Sequence, residues 1–119
     1  MTATLSKIEL IPAMEQNMKK ALLQMLILQL LEKRECYIAE IPELIAQYSD
    51  GAMAVSSPYT ACRILEDEKL IVSRRKNSAG RLRQCYKITP KGREQLAVFK
   101  EIFYNYTGAA KTVLEKLEK

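Results

Sequence analysis

Apolar residues recur with a helical period over the first third of the chain. Met14, Met18, Leu22, Met25, Leu26 and Leu30 lie three or four apart, on one face of a helix. Pro12 suits its first position, where a missing N–H costs nothing. Ala21, Leu23, Ile27, Leu28 and Leu31 make the second half apolar nearly all round, so this helix must be covered on several sides. The charged cluster Glu32-Lys33-Arg34-Glu35 marks its end. A shorter stripe follows at Ile38, Ile41, Leu44, Ile45 and Tyr48. Pro42 is compatible with a helix only in its first turn, which puts the start near Ala39. Asp50-Gly51 ends it, and residues 52–56 form a small-residue connection. Ser56 or Ser57, followed by Pro58, predicts the cap and first turn of a third helix that runs to about residue 68. Its apolar side is Ala61, Ile64 and Leu65. Tyr59, Thr60 and Arg63 fall away from that side.

Alternation then replaces the helical period. Leu70-Ile71-Val72 is a β-branched run that predicts a strand. Asn77-Ser78-Ala79-Gly80 is a turn signal. From Gln84 to Ile88 the side chains alternate, with Tyr86 and Ile88 pointing one way and Cys85 and Lys87 the other. A two-stranded hairpin is expected. Thr89-Pro90 caps a last helix over residues 90–116, ~40 Å long at 1.5 Å per residue. Its stripe is Val98 (or Phe99), Ile102, Tyr106, Ala109 (or Ala110), Val113 and Leu117. A domain this small cannot cover so long a stripe by itself, and two-fold pairing is the commonest solution.

The order is three helices, a hairpin and a long helix. That is the arrangement of a winged helix-turn-helix, with the third helix as recognition helix and the hairpin as wing. The expected fold class is mainly α with a small β hairpin (α+β). One domain is expected, with residues 12–89 as the winged helix-turn-helix DNA-binding region and residues 90–119 as a C-terminal dimerisation helix.

Charge sharpens this picture. The 119 residues carry 19 Lys and Arg against 14 Asp and Glu, for a net of +5. The excess is not spread evenly. Lys69, Arg74, Arg75, Lys76, Arg81, Arg83, Lys87, Lys91 and Arg93 fall in one stretch without an acidic residue. The rest of the chain is net acidic. A run of charge is usually a solvated face, but this one lies on a hairpin directly after a candidate recognition helix. Five of its members are Arg, which grips phosphate bidentately where Lys acts as a point charge. The expected DNA-binding set is Ser57, Tyr59, Thr60, Arg63, Arg74, Arg75, Lys76, Arg81 and Arg83. The wing cations would supply phosphate affinity, and Tyr59, Thr60 and Arg63 would read base edges.

Other chemistries lose ground on composition. There is no His, which removes the commonest metal ligand and the usual general base near neutral pH. No paired carboxylates or phosphate-binding glycine loop stand out, so an enzyme is not expected, nor a metal or cofactor. Cys36, Cys62 and Cys85 are odd in number and widely spaced, which is no disulfide framework. A thiol switch at Cys62 or Cys85 has no resolving cysteine nearby in sequence. Residues 1–7 lack the basic-then-apolar pattern of a secretory signal. The longest apolar stretch, residues 21–31, is about half the ~20 residues a membrane span needs. A cytoplasmic protein without a membrane partner is expected.

Two stretches resemble the PadR family of bacterial transcriptional regulators. Gly80-Arg81-Leu82-Arg83, leading to Tyr86, Ile88-Thr89 and Gly92, is similar to the family's wing motif. Ser57-Pro58-Tyr59 through Leu65-Glu66 to Leu70-Ile71 is similar to its recognition helix. Lys69 stands where the family has Gly, and Ser56-Ser57-Pro58 replaces its Gly-Thr-Leu before the tyrosine. The resemblance implies a homodimeric repressor on a pseudo-palindromic operator. Its last helices, with the partner's first helix, would form the interface. It also implies release from DNA by a small apolar or phenolic effector at the dimer centre. Met18, Phe99, Phe103 and Tyr106 are the candidate lining, the plainer alternative being interface core. A winged-helix module that contacts protein and not DNA is the competing reading of the whole chain.

Overall fold

The computed structural model describes residues 12–55 and 57–119. Residues 1–7, and Ser56 as an alternative cap, lie outside the described residues. Four helices and a small antiparallel sheet form one α+β unit. The order is α1 (Pro12–Lys33), β1 (Cys36–Tyr37), α2 (Glu40–Tyr48), α3 (Tyr59–Asp67), β2 (Ile71–Ser78), β3 (Arg81–Ile88) and α4 (Pro90–Leu117).

The apolar second half of α1 is the axis of the core. Ile27 and Leu28 are fully buried, packed with Ile41 and Ile45 of α2, Leu65 of α3, Ile71 and Ile88 of the sheet and Leu96 of α4. Burial of each such side chain contributes roughly 1.5–3 kcal/mol. Pro42 is the third residue of α2, as a first-turn proline must be. Both α2 and α3 close with a left-handed residue after the cap. At the end of α3, Lys69 N–H donates to Glu66 O and Leu70 N–H to Leu65 O, both at 2.9 Å. That is the Schellman pattern, and Lys69 adopts φ +61° to make it.

The sheet has three strands, in the order β1-β3-β2. The expected hairpin is its larger part, and β1 is an addition: Cys36 pairs with Tyr86 and Tyr37 with Cys85. The hairpin strands also run further than the residue types suggest. Ser78 pairs with Arg81, so the turn contracts to Ala79-Gly80, both at positive φ, the signature of a type I′ turn.

Three further expectations are corrected. Ile64 is exposed, because the buried face of α3 is Ala61, Cys62 and Leu65. Tyr48 is exposed as well. Helix α3 starts at Tyr59, not at Pro58, and the Ser57 hydroxyl accepts from Tyr59 N–H at 3.4 Å.

Thr89 ties the recognition segment to the last helix. Its Oγ1 accepts from Gly92 N–H at 3.0 Å and sits 2.8 Å from Lys69 O, to which it donates. Gly92 is buried so tightly that a methyl group there would meet the Leu70 carbonyl oxygen and, at 2.7 Å, Ile88 Cγ1. The first half of α4 packs on α1 through Leu96, Phe99 and Phe103, with Lys100 Nζ donating to Gln29 Oε1 at 2.9 Å. From Tyr104 onward every residue is exposed. Among the described residues, no helix is long and apolar enough to cross a membrane.

Candidate nucleic-acid interface

Helix α3 presents the side chains that fall off its buried face. Tyr59, Thr60 and Arg63 are all exposed, and they line one groove of about 300 Å³ with Glu66, Gln84 and Tyr86. A second groove of about 510 Å³ continues from it along the wing. There Arg75, Arg81 and Arg83 surround Tyr37, Tyr59 and Gln84. Tyr59 and Gln84 belong to both grooves, so the recognition helix and the wing share one concave surface. Ser57 is exposed beside the start of α3, in a cleft with Lys19, Lys20 and Thr60 that contains no wing residue.

The strand register sorts the wing cations. Directly opposed residues of an antiparallel pair point to the same side. Arg75 opposes Gln84, and Ser73 opposes Tyr86, so these four lie on the face that meets α3. Gln84 Nε2 donates to Ser73 Oγ at 3.3 Å, and that hydroxyl donates to Glu66 at 2.8 Å. The chain of bonds holds the Gln84 amide at the junction of helix and wing. Sequence reading missed Gln84: nothing in its neighbourhood says that Ser73 and Glu66 converge on it.

Arg74 and Lys76 lie on the other face, opposite Cys85 and Arg83; Arg83 and Arg81 share that face by register and also line the wing groove. Arg74 and Lys76 were both expected in the DNA-binding set, and both have an acidic partner within the molecule. Glu35, from the link between α1 and β1, accepts from Lys76 Nζ at 2.8 Å and lies 3.5 Å from Arg74. The bond from Lys76 holds the Glu35 carboxyl below the usual carboxylate range, and the same bond raises Lys76. Arg75, Arg81 and Arg83 make no ion pair among the described residues. The acid-free charge run is therefore answered in part by an acid from outside it.

All three cysteines are free and buried. Burial, assisted by Glu66, pushes the Cys62 thiol up to about 12. Burial likewise raises Cys36 and Cys85. A thiolate is the reactive form, and burial disfavours it at all three. Of the candidate effector residues, Phe99 and Phe103 are half-buried against α1, while Met18 and Tyr106 are exposed. A cavity of about 610 Å³ between α1 and α2 is lined by none of the four.

A short helix ending in a tight turn, a basic hairpin beside its exposed face and a helical pair behind it define a winged helix-turn-helix protein. Residues 27–98 match the transcriptional regulator PadR-like family, and the chain belongs to that family. Among solved structures, the PadR-like transcriptional regulator of Bacillus cereus is 29% identical, with a TM-score of 0.69 over 82% of this chain and 96% of that one. A PadR family regulator from Clostridium difficile is 26% identical, with a TM-score of 0.65 over 77% and 97%. A transcriptional regulator from Clostridium thermocellum shares the fold at 23% identity, with a TM-score of 0.67 over 83% and 96%. No curated protein matches the chain.

Proposed function

We propose that this chain is a sequence-specific DNA-binding regulator of transcription that acts as a homodimeric repressor. The observation that carries the reading is the shared groove, in which exposed Tyr59, Thr60 and Arg63 of α3 stand beside Arg75, Arg81 and Arg83 of the wing. A helix of this exposure fits the major groove, while arginines at its flank meet the phosphates. Two such units, joined through α4, would address half-sites about 34–36 Å apart on a pseudo-palindromic duplex.

The test is selection of bound duplexes from a random pool, followed by titration of the selected site over a range of salt. Log affinity is expected to fall by roughly 0.9 per neutralised phosphate in log salt. Arg81→Ala with Arg83→Ala should weaken selected and random duplexes alike, by roughly tenfold or more, and flatten the salt slope by about 2. Arg63→Ala should hit the selected site hardest. Retention of full affinity by the double variant at physiological salt would remove the wing from the interface. We further place a small apolar or phenolic effector against Phe99 and Phe103, with Met18 and Tyr106 completing the lining once a second chain is present. A Phe103→Ala protein should still bind DNA and lose its response to such compounds in a gel-shift titration.

A further inference from the structure

Glu35 is the one acidic side chain that pairs with the wing cations among the described residues. It belongs to the connection after α1 and lies 41 positions before Lys76. A single oxygen, Oε1, serves three groups: Lys76 Nζ at 2.8 Å, Arg74 at 3.5 Å and Cys85 Sγ at 3.6 Å. Cys85 is buried beneath the cluster, which fixes the carboxylate over the strand. The carboxylate itself stays about one-third exposed. The cations are therefore not buried with it. They stand at the surface, on the same strand pair as Arg83 and Arg81, with their shared anion supplied from within the molecule. An ammonium and a guanidinium converging on one oxygen is also how a backbone phosphate is held.

We propose that Glu35 acts as an internal stand-in for a DNA phosphate, occupying Arg74 and Lys76 and so setting the affinity of the wing for duplex DNA. The inference rests on the DNA-binding reading above. When a phosphate takes these two cations, the carboxylate is displaced and must be neutralised by a solution cation. The net number of counterions released is then smaller than the number of phosphate contacts made. Weaker binding and a shallower salt response both follow. Neither effect depends on base sequence, because the two cations meet phosphate oxygens only.

The experiment compares wild type with Glu35→Gln on a random-sequence duplex and on a selected one, from low to physiological salt. Gln keeps the acceptor that Lys76 and Cys85 use, and circular dichroism with thermal melting checks that the fold is retained. The expected result is an affinity gain of roughly three- to tenfold on both duplexes, with a salt slope steeper by about 1. Adding Arg74→Ala and Lys76→Ala to Glu35→Gln should abolish the gain. Unchanged affinity and slope in Glu35→Gln, with wild type binding normally, would overturn the proposal and leave the DNA-binding reading intact. Loss of affinity in a folded Glu35→Gln protein would also overturn it and make Glu35 a tether of the wing. Absence of salt-dependent binding in wild type would overturn the DNA-binding reading, and this inference with it.

Discussion

Two residues around the end of α3 show how backbone demands override ordinary preference. Lys69 holds φ +61°, a conformation that costs a side-chain-bearing residue roughly 1–2 kcal/mol and glycine nearly nothing. The Schellman bonds of Lys69 and Leu70 require it. Lys69→Gly should therefore stabilise the fold by up to about 1 kcal/mol, once the greater freedom of glycine in the unfolded chain is offset. Thermal melting at fixed protein concentration should show a rise of a few degrees. Gly92 is the opposite case. It lies in the first turn of α4, where helix propensity alone favours Ala by about 1 kcal/mol. The space does not allow it, because the nearest atom is the Leu70 backbone oxygen, which cannot turn aside. Gly92→Ala should destabilise by about 3 kcal/mol, at the upper end of the usual overpacking cost. An increase in denaturation midpoint for Gly92→Ala would show that α4 can shift away from Leu70. The contrast explains why a glycine belongs at position 92 while position 69 tolerates a lysine at a modest cost.

At the scale of elements, the wing is held by its register and its turn. Ala79 occupies a left-handed position in a two-residue loop, where Asn is much preferred. Ala79→Asn should stabilise the hairpin by about 0.5–1 kcal/mol. Slower amide exchange from Arg75 to Arg83, with an unchanged salt slope of DNA binding, is the expected readout. The helices and the hairpin were legible because each repeats its period over at least two turns or four residues. Strand β1 was not, since two residues carry no period. It exists because Cys36 and Tyr37 find the open edge of β3. Ile64 misled for a related reason: it keeps helical spacing with Ala61 and Leu65, yet the small Cys62 takes the buried place beside them. The exposed face of α3 was read correctly from what its apolar stripe leaves over. The pairing of Glu35 with Arg74 and Lys76, and the hold of Ser73 and Glu66 on Gln84, join segments far apart in sequence. Local pattern has no means of showing such contacts, so a charge run looked freer than it is.

At the scale of the molecule, the question is what the far half of α4 is for. The 28-residue helix α4 is about 42 Å long, and only its first half has anything to rest on. Ile102, Tyr106, Val113 and Leu117 form a stripe that remains open to water. Isolated helical segments of this length are marginal unless an apolar face is covered. The dimer proposed above answers that need, because two-fold pairing covers the same stripe on both chains at once. It also sets the binding behaviour. With two wings on one rigid body, the second half-site is met at a high effective concentration, which raises affinity by roughly 10²–10⁴ over a single half-site. Ile102→Glu together with Val113→Glu places four carboxylates in the paired stripe and none in the groove of α3 and the wing. Light scattering should then report one chain where wild type gives two. Affinity for a two-site operator should fall to the level of a single half-site, while affinity for an isolated half-site stays as it was. A double variant that remained dimeric would move the contact between chains to another surface, and a wild type that was monomeric at micromolar concentration would leave the stripe unexplained by pairing.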